Sequence, residues 1–380
     1  MDNKIIYLDN NATTPVDQRV VNCMLPYFSE CYANAGSSHL FGLTIKEAVE
    51  GAQNQVADLI GAETGDLIFT SGATEAVNLA IKGFSKNSRK QIVVAATEHK
   101  AVLDTCAVML KEGFTVTRME VDKQGLISLE DLKTVVTDNT ILVCVMLANN
   151  ETGVIQPIKE IAQITHEKGA FLLSDATQAV GKIPIDVNFQ GIDLMPFSAH
   201  KFYGPKGIGG LYISREARKL ISAEIHGGGQ QGNMRSGTLN VPGIVGMGKA
   251  CEIAFNEMEI DNQRIKSYRD HLEQELLKID GSFVNGTTEF RLSNTSNICI
   301  PGINSEKLIL QLQNISVSNG AACSAVTTQP SHVLQAMGLD MAKSFSSIRF
   351  SLGRFTTIDE IEQTISKVTE LSKLMRNSAY

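Results

Sequence analysis

Apolar positions follow two different patterns along this chain: helical spacing in some segments and short continuous runs in others. In residues 44–60 they recur every three or four positions, which predicts an amphipathic helix with one buried stripe. Thr44 and Glu47 have the spacing of a capping box at the start of this helix, and Gly61 marks its end. Two further helices are predicted at residues 129–136 and 158–168.

Between the helical stretches lie short, continuous apolar runs of the kind that form buried strands. The predicted strands are residues 92–95, 141–147, 171–174, 194–197 and 209–213. Strands that are apolar on both faces and alternate with helices are typical of parallel sheets. The pattern therefore predicts an α/β fold in which helices cover a mainly parallel sheet.

The pattern of apolar positions changes near residue 252, where a long, charge-rich helical stretch begins that runs to residue 278. Short strands follow at residues 297–300 and 348–352, and a last helix has apolar residues at helical spacing from Ile358 to Leu371. We divide the chain into a large domain (15–258) and a smaller α+β domain (259–380). Residues 1–14 are predicted to form an N-terminal segment that packs with the small domain.

Composition excludes several classes of protein. The 380 residues are 43% hydrophobic and carry a formal charge of −7, which fits a globular protein and argues against broad nucleic-acid or membrane binding. The longest apolar run, residues 141–148, is far shorter than the roughly 18 residues that span a bilayer. The N-terminus lacks the basic region of a secretory signal, so we expect a cytoplasmic protein.

Two polar residues follow predicted strands, where open α/β sheets place their functional side chains. Lys201 comes after the apolar run 194–197 and before a Gly/Pro-rich turn. It is either a solvated surface lysine or a Schiff-base lysine held against an aldehyde cofactor. Asp175 follows the run 171–174 and is either a helix cap or a carboxylate beneath a pyridinium nitrogen. Gln178 lies one turn later, within reach of a ring oxygen.

Residues 69–81 run from an apolar segment through Gly72 into a helical pattern. The free N–H groups of such a helix start attract an anion, and Ser71 and Thr74 add hydroxyl donors. The alternative is an ordinary capped helix. The segment matches neither a Walker A loop nor a dinucleotide-binding fingerprint.

Two more candidates follow strands. His99 is either a surface histidine or a ring that stacks on a flat cofactor and carries protons. Asn150 belongs to the run 149–153, which forms either a simple Asx-type turn or a contact with a phenolic oxygen.

The seven cysteines are scattered without a C-x-x-C pair, which predicts neither a disulfide framework nor a zinc site. Cys323 lies among small and polar residues between Gly320 and Pro330, a context typical of an exposed loop. It is therefore the candidate nucleophile, with the other cysteines as inert thiols. Arg349, in a strand-like run, is either a carboxylate-binding guanidinium or half of a surface ion pair.

Taken together, these segments resemble the pyridoxal-phosphate-dependent cysteine desulfurases, nitrogenase-associated and housekeeping iron–sulfur enzymes of the class-V aminotransferase family. The similar segments occur in family order along nearly the whole chain: residues 7–15, 71–75, 97–100, 149–151, 175–178, 198–201, 235–238, 322–324 and 349–354. The spacing from Cys323 to Ser331 resembles the subgroup with the longer cysteine loop, at about 319–331.

The resemblance implies a fold type I transferase that binds pyridoxal 5′-phosphate in its large domain, acts as a homodimer and holds no metal. The implied catalytic residues are Lys201 as the Schiff-base lysine, His99 for proton transfer and Cys323 as the nucleophile. The implied cofactor-binding residues are Ala73, Thr74, His99, Asn150, Asp175, Gln178, Ser198, His200, Lys201 and, from the second subunit, Thr238. The implied substrate-binding residues are Arg349, Asn150 and an N-terminal asparagine, Asn10 or Asn11.

The implied reaction converts L-cysteine to L-alanine and leaves a persulfide on Cys323 for a sulfur-acceptor protein. The sulfur's destination stays open among iron–sulfur cluster assembly, tRNA thiolation and DNA phosphorothioate modification. Two alternatives are a selenocysteine lyase or aminotransferase on the same fold, which makes Cys323 dispensable, and a non-enzymatic subunit of a sulfur-transfer complex. Lys201, Asp175 and His99 argue against the second.

Overall fold

The computed structural model describes residues 4–320 and 329–377. Within them the strands are β1 (Ile6–Tyr7), β2 (Leu67–Thr70), β3 (Gln91–Ala95), β4 (Thr115–Met119), β5 (Thr140–Cys144), β6 (Phe171–Leu173), β7 (Leu194–Ser198), β8 (Gly209–Ile213), β9 (Phe283–Val284), β10 (Thr295–Cys299), β11 (Ile315–Ser316) and β12 (Ser347–Ser351).

The α-helices of the same residues are α1 (Gln18–Met24), α2 (Pro26–Ser29), α3 (Leu40–Ile60), α4 (Ala73–Lys82), α5 (Lys100–Lys111), α6 (Leu129–Val135), α7 (Ile158–Glu167), α8 (Val187–Gln190), α9 (Arg215–Arg218), α10 (Val241–Leu276), α11 (Ser305–Gln311), α12 (His332–Ala336), α13 (Met341–Phe345) and α14 (Ile358–Asn377). None of these helices is both long enough and apolar enough to cross a membrane.

The large sheet has the strand order β2-β8-β7-β6-β5-β3-β4. Its strands from β7 to β4 pair in parallel, whereas β8 runs antiparallel to both β7 and β2. Buried apolar side chains fill both faces, with α3 and α10 over one and α4 and α5 over the other. The predicted mainly parallel α/β sheet is confirmed, with one reversed strand that the sequence pattern did not show.

The predicted start of the first long helix is wrong. α3 begins at Leu40, and its N-cap is His39, whose Nδ1 accepts a hydrogen bond from the Gly42 N–H at 3.1 Å. Thr44 lies inside the helix and donates its hydroxyl to the Leu40 carbonyl, so it caps nothing. The predicted end is confirmed, because Gly61 adopts the left-handed conformation with φ of 65°.

The second long helix, α10, begins at Val241, before the predicted start at residue 252. Its first half is buried nearly all round between other elements, so it has no polar face to produce an amphipathic pattern. Gly248 lets this helix approach α3 closely, since a Cβ there would lie 2.7 Å from the Ala52 Cα atom. The predicted domain boundary at 258–259 falls inside this continuous helix and stays a prediction.

The C-terminal part contains an antiparallel sheet of order β12-β10-β9. The N-terminal segment lies beside it: β1 pairs in parallel with β11, and farther along the Ser351 N–H donates to the Leu8 carbonyl at 2.8 Å. The chain therefore passes between β11 and β12. This path places residues 9–14 at the junction between the large sheet and the C-terminal part.

A buried ion pair joins the long helix to the C-terminal part. Arg291 Nη1 and Nη2 each donate to a Glu273 carboxylate oxygen at 2.7 Å, and Ser296 donates to the same carboxylate. Replacing Glu273 with alanine leaves the buried Arg291 guanidinium without its carboxylate partner. We therefore expect the free energy of unfolding to fall by about 3–5 kcal/mol. Differential scanning calorimetry measures this as a lower melting temperature.

Two further variants test the cause of that loss. The paired replacement Glu273→Leu with Arg291→Met removes both charges and should destabilise less than the single change. Glu275→Ala breaks an exposed pair with Lys278 and should leave the melting temperature nearly unchanged. If the single and paired variants melt alike, the stranded charge is not the cause.

Candidate active site

A cavity of about 870 Å³ lies at the carboxyl ends of the central parallel strands. The segments that follow β3, β5, β6 and β7 all contribute to its wall, which is where parallel strands deliver functional side chains. Eleven of the residues singled out above line it: Asn11, Ala73, Thr74, His99, Asn150, Asp175, Gln178, Ser198, His200, Lys201 and Arg349.

Lys201 ends a short 3-10 turn, residues Ala199–Lys201, that directly follows β7. Its Nζ donates to the carbonyls of Asn11 and Ala12 at 2.7 and 2.8 Å. Burial lowers the pKa of this amine to about 8, with the Arg349 charge acting in the same direction and Asp175 opposing it. The side chain lines the cavity, and a larger share of its amine is neutral near pH 8 than for an ordinary lysine.

Asp175 and Gln178 occupy the turn after β6, and both are buried. The Asp175 Oδ1 accepts a hydrogen bond from the Thr177 N–H at 2.8 Å, so this carboxylate stabilises a turn as well as lining the cavity. Gln178 donates to the Asn11 carbonyl at 2.9 Å and accepts from the Lys182 amine at 2.7 Å.

One corner of the cavity is rich in donors for an anion. Helix α4 begins there, and its N-cap, Gly72, supplies no side-chain cap to the first N–H groups. Thr74, Ser198 and His200 border the same cavity. His200 contacts the Thr13 hydroxyl at 3.0 Å, and burial together with nearby lysines lowers its pKa to about 4. It is therefore a neutral imidazole at neutral pH.

His99 is the N-cap of α5, where its Nδ1 accepts a hydrogen bond from the Ala101 N–H at 3.1 Å. The residue is exposed and lines the cavity. Because Nδ1 is an acceptor, the neutral ring carries its hydrogen on Nε2, which is therefore the donor nitrogen.

Arg349 on β12 is only 5% exposed. Its Nη2 donates to the Asp9 carboxylate at 2.6 Å and its Nη1 to the Asn150 carbonyl at 2.9 Å, while Nε has no partner among the described residues. Asp9 therefore pairs with this guanidinium inside the fold, not at the surface.

Asn11 is a junction between the two parts of the chain. Its Nδ2 donates to the Asn150 carbonyl at 3.2 Å and to the Thr295 hydroxyl at 2.9 Å, and its Oδ1 accepts from Asn294 and Lys182. Both amide hydrogens are thus engaged by protein atoms.

Asn149, which precedes Asn150 in the chain, forms the Asx-type turn: its Oδ1 accepts from the Glu151 N–H at 2.9 Å. Asn150 itself lines the cavity.

Two predicted residues are not placed in this cavity. Thr238 is exposed in the loop before α10 and does not line the cavity of its own chain. Cys323 lies outside the described residues, although the described residues Gly320, Gln329 and Pro330 on either side of it do line the cavity.

Sequence reasoning assigned no role to several residues that line the cavity or support its wall. Asp9 and Glu151 belong to segments already singled out, but nothing in the pattern indicated their partners. Lys182 contacts Gln178 and Asn11, and burial pushes its pKa well below the usual range. Lys206 and His332 also line the cavity. Only their polarity beside a Gly/Pro-rich turn could have suggested them.

The residues present fit pyridoxal phosphate. The uncapped start of α4 with Ser198 and His200 suits the phosphate, the Asp175 carboxylate suits a protonated ring nitrogen, and the Lys201 amine suits the aldehyde carbon. Glycine is required beneath the phosphate corner, because a Cβ at Gly209 would lie 2.7 Å from the Gly72 Cα atom.

Comparison with known proteins agrees with this chemistry. The aminotransferase class-V family matches residues 6–364. The cysteine desulfurase IscS of Glaesserella parasuis serovar 5 (strain SH0165) is 49% identical over 97% of this chain and 95% of that protein. A solved NifS-like protein superposes with a TM-score of 0.91 at 36% identity, covering 97% of this chain and 100% of its own. A structure of SspA in complex with cysteine gives a TM-score of 0.82 at 34% identity, covering 93% and 100%.

Proposed function

The chain belongs to the class-V aminotransferase family and is a pyridoxal-phosphate-dependent cysteine desulfurase, and from this premise we propose that Lys201 holds the cofactor while Cys323 takes up the sulfur. The observation that best supports the role of Lys201 is its half-buried amine on the wall of a cavity that Asp175 also lines, where burial lowers the pKa of the amine to about 8. A solvated surface lysine has neither property.

The other residues around the cavity divide the remaining tasks. Bound at Lys201, pyridoxal phosphate supplies a ring that withdraws electrons from the substrate Cα atom. Asp175 keeps a proton on the ring nitrogen, and Gln178 with Asn150 contacts the ring substituents. His99 would stack on the ring and take part in proton transfer, with Nε2 carrying the hydrogen of the neutral imidazole because Nδ1 accepts from the Ala101 N–H.

L-Cysteine is the substrate, and we assign its carboxylate to Arg349. The guanidinium lines the cavity and is held in place by Asp9 and the Asn150 carbonyl. The Asn150 side chain adds a further donor. Asn11, which also lines the cavity, holds the Asn150 backbone in place, since its own amide hydrogens are engaged by the Asn150 carbonyl and the Thr295 hydroxyl.

The atoms and electrons of the sulfur-transfer step balance when one enzyme thiol takes part. Cys323 loses its proton and attacks the substrate sulfur, the substrate Cβ–S bond breaks, and the carbon fragment gains the proton and leaves as L-alanine. The enzyme keeps a Cys323 persulfide, which an acceptor thiolate can then attack. The curated relatives and solved neighbours favour this desulfurase reaction over a selenocysteine lyase or an aminotransferase.

The direct test is a single turnover of the purified holoenzyme with L-cysteine. We expect one L-alanine for each persulfide formed, with the added sulfur located on Cys323 and absent from the other six cysteines. Amino-acid analysis and peptide mass spectrometry measure the two products. A stoichiometric persulfide on another cysteine, or alanine with no enzyme-bound sulfur, would contradict the assignment.

We also propose a cytoplasmic homodimer in which Thr238 completes the phosphate corner of the partner subunit. Thr238 is exposed and outside its own cavity, and large apolar side chains are exposed between residues 25 and 43: Leu25, Phe28, Tyr32, Leu40, Phe41 and Leu43. Such a concentration of exposed apolar surface is typical of an interface. The sulfur passes to an acceptor protein, for which iron–sulfur assembly, tRNA thiolation and DNA phosphorothioation are the competing destinations.

A further inference from the structure

Glu151 is a buried carboxylate that the roles above leave unused. It is 2% exposed and lines the cavity. Asn149 Oδ1 accepts from the Glu151 and Thr152 N–H groups at 2.9 and 3.0 Å, and Asn297 donates to the Glu151 carbonyl at 3.2 Å. These contacts hold the backbone of the turn, so they also set the direction in which the Glu151 side chain leaves it.

The first contact of this carboxylate is with Ser331. The Ser331 hydroxyl donates to Glu151 Oε2 and, as the N-cap of α12, accepts from the Leu334 N–H at 3.1 Å. Both hydrogen-bonding functions of the hydroxyl are thereby satisfied. Glu151 consequently determines where the chain re-enters regular structure after Pro330.

The second contact is with Gly320, on the other side of the same segment. A Cβ at Gly320 would overlap Glu151 Oε2, and its φ of 78° also favours glycine. The upstream chain is fixed as well, because the Arg349 N–H donates to the Ser318 carbonyl and the Ser318 hydroxyl accepts from the Gly320 N–H at 3.2 Å. One carboxylate oxygen therefore lies against both ends of residues 321–330.

We propose that Glu151 is a positioning residue for sulfur transfer, which fixes the places of Gly320 and Ser331, the residues between which Cys323 lies in the sequence. This inference rests on the proposed role of Cys323. The stretch from 321 to 330 must deliver one sulfur atom to the substrate, and its reach depends on where its two ends are held. A carboxylate that accepts from one end and closely packs against the other holds both.

The charge of Glu151 is compatible with this role. Burial raises its pKa to about 7, while the hydrogen bond from Ser331 and the Arg349 charge act in the opposite direction. The positioning contact itself needs only an acceptor oxygen, since Ser331 is the donor. A glutamine at this position keeps such an oxygen, whereas an alanine removes it.

The experiment compares Glu151→Ala with Glu151→Gln in the holoenzyme. For Glu151→Ala we expect kcat for alanine and persulfide formation to fall about 10- to 100-fold, because a misplacement of about 1 Å costs that much. The KM for L-cysteine and the change in cofactor absorbance on adding L-cysteine should stay close to wild type. Glu151→Gln should recover most of the lost kcat.

Ser331→Ala removes the donor of the same Ser331–Glu151 hydrogen bond. It tests the positioning role of Glu151 even if Glu151→Ala does not fold. It should lower kcat alone, and combining it with Glu151→Ala should add little, because both remove one hydrogen bond. Ser128→Ala, which removes a serine N-cap from α6 outside the cavity, is the matched control and should leave kcat unchanged.

Three outcomes overturn the inference: wild-type kcat in both Glu151→Ala and Ser331→Ala, a rise in KM with kcat unchanged, or fully additive losses in the double variant. Failure of the proposed function looks different. In that case Cys323→Ala itself retains alanine and sulfide production, whatever the Glu151 variants do.

Discussion

Lys201→Ala should lose alanine production almost completely, by roughly 10³-fold or more, together with covalent attachment of the cofactor. Lys182 does not take its place, because its amine donates to the side-chain oxygens of Gln178 and Asn11 and the residue does not line the cavity. The measurements are the alanine yield from L-cysteine and the visible absorbance of the lysine-bound cofactor before and after dialysis.

Lys201→Arg is the informative companion. It preserves a positive charge beside Asp175 and Asn11 but presents no amine that can form an imine. If the role of Lys201 were electrostatic, the arginine variant would retain activity. We expect it to be as inactive as the alanine variant, and substantial turnover in either protein would refute the assignment.

The lowered pKa of Lys201 also predicts a pH dependence for cofactor attachment. A depressed lysine pKa means that the neutral, nucleophilic amine predominates above about pH 8, whereas an ordinary lysine with a pKa near 10.4 is almost fully protonated there. Reconstitution of the apoenzyme should therefore accelerate as the pH rises from 7 to 8 and level off above about 8. A rate that keeps rising to pH 10 would indicate an ordinary amine.

Cys323→Ala is expected to have the second largest effect. The variant should bind the cofactor and L-cysteine as before, yet form no enzyme persulfide and lower alanine production by roughly 10²-fold or more, because the nucleophile for the substrate sulfur is gone. The substrate-induced change in cofactor absorbance separates intact binding from lost sulfur transfer.

The remaining cysteines explain why this loss should be specific. Cys144, Cys251 and Cys299 are buried, and burial raises the pKa of all three thiols, that of Cys299 to about 11. A thiol of that kind does not ionise at neutral pH. Cys31→Ala, a change at a half-buried cysteine outside the cavity, is the matched control and should behave like wild type. Undiminished alanine and sulfide production by Cys323→Ala would favour a lyase.

Local patterns predicted the elements that carry the chemistry. A short apolar run precedes each of four site residues, His99, Asn150, Asp175 and Lys201. Whether such a run forms a strand depends mainly on residues close by in the sequence, so a local pattern can predict it. Because the strands that precede them are parallel, their carboxyl ends meet at one edge, and the four side chains were brought to one cavity as expected. The resemblance across nine segments added the cofactor and the reaction.

The elements that were predicted wrongly have a common physical cause. α10 starts early because its first half is buried on nearly all sides, which erases the polar face that a periodic pattern needs. α3 starts at Leu40 because a ring nitrogen of His39 serves as the cap in place of the expected hydroxyl. In both cases the surrounding structure outweighed the local signal.

The sequence by itself determined the family, the reaction, the mainly parallel sheet and the side chains that meet at its edge, since each depends on motifs or on neighbouring residues. Only the tertiary structure decided that Asp9 pairs with Arg349, that Asn11 joins both parts of the chain and that Glu151 lies against Gly320 and Ser331. The Asp9–Arg349 contact spans 340 residues and the Glu151–Ser331 contact 180. Such contacts depend on how segments that lie far apart in the sequence are brought together by the fold, and local periodicity carries no information about that.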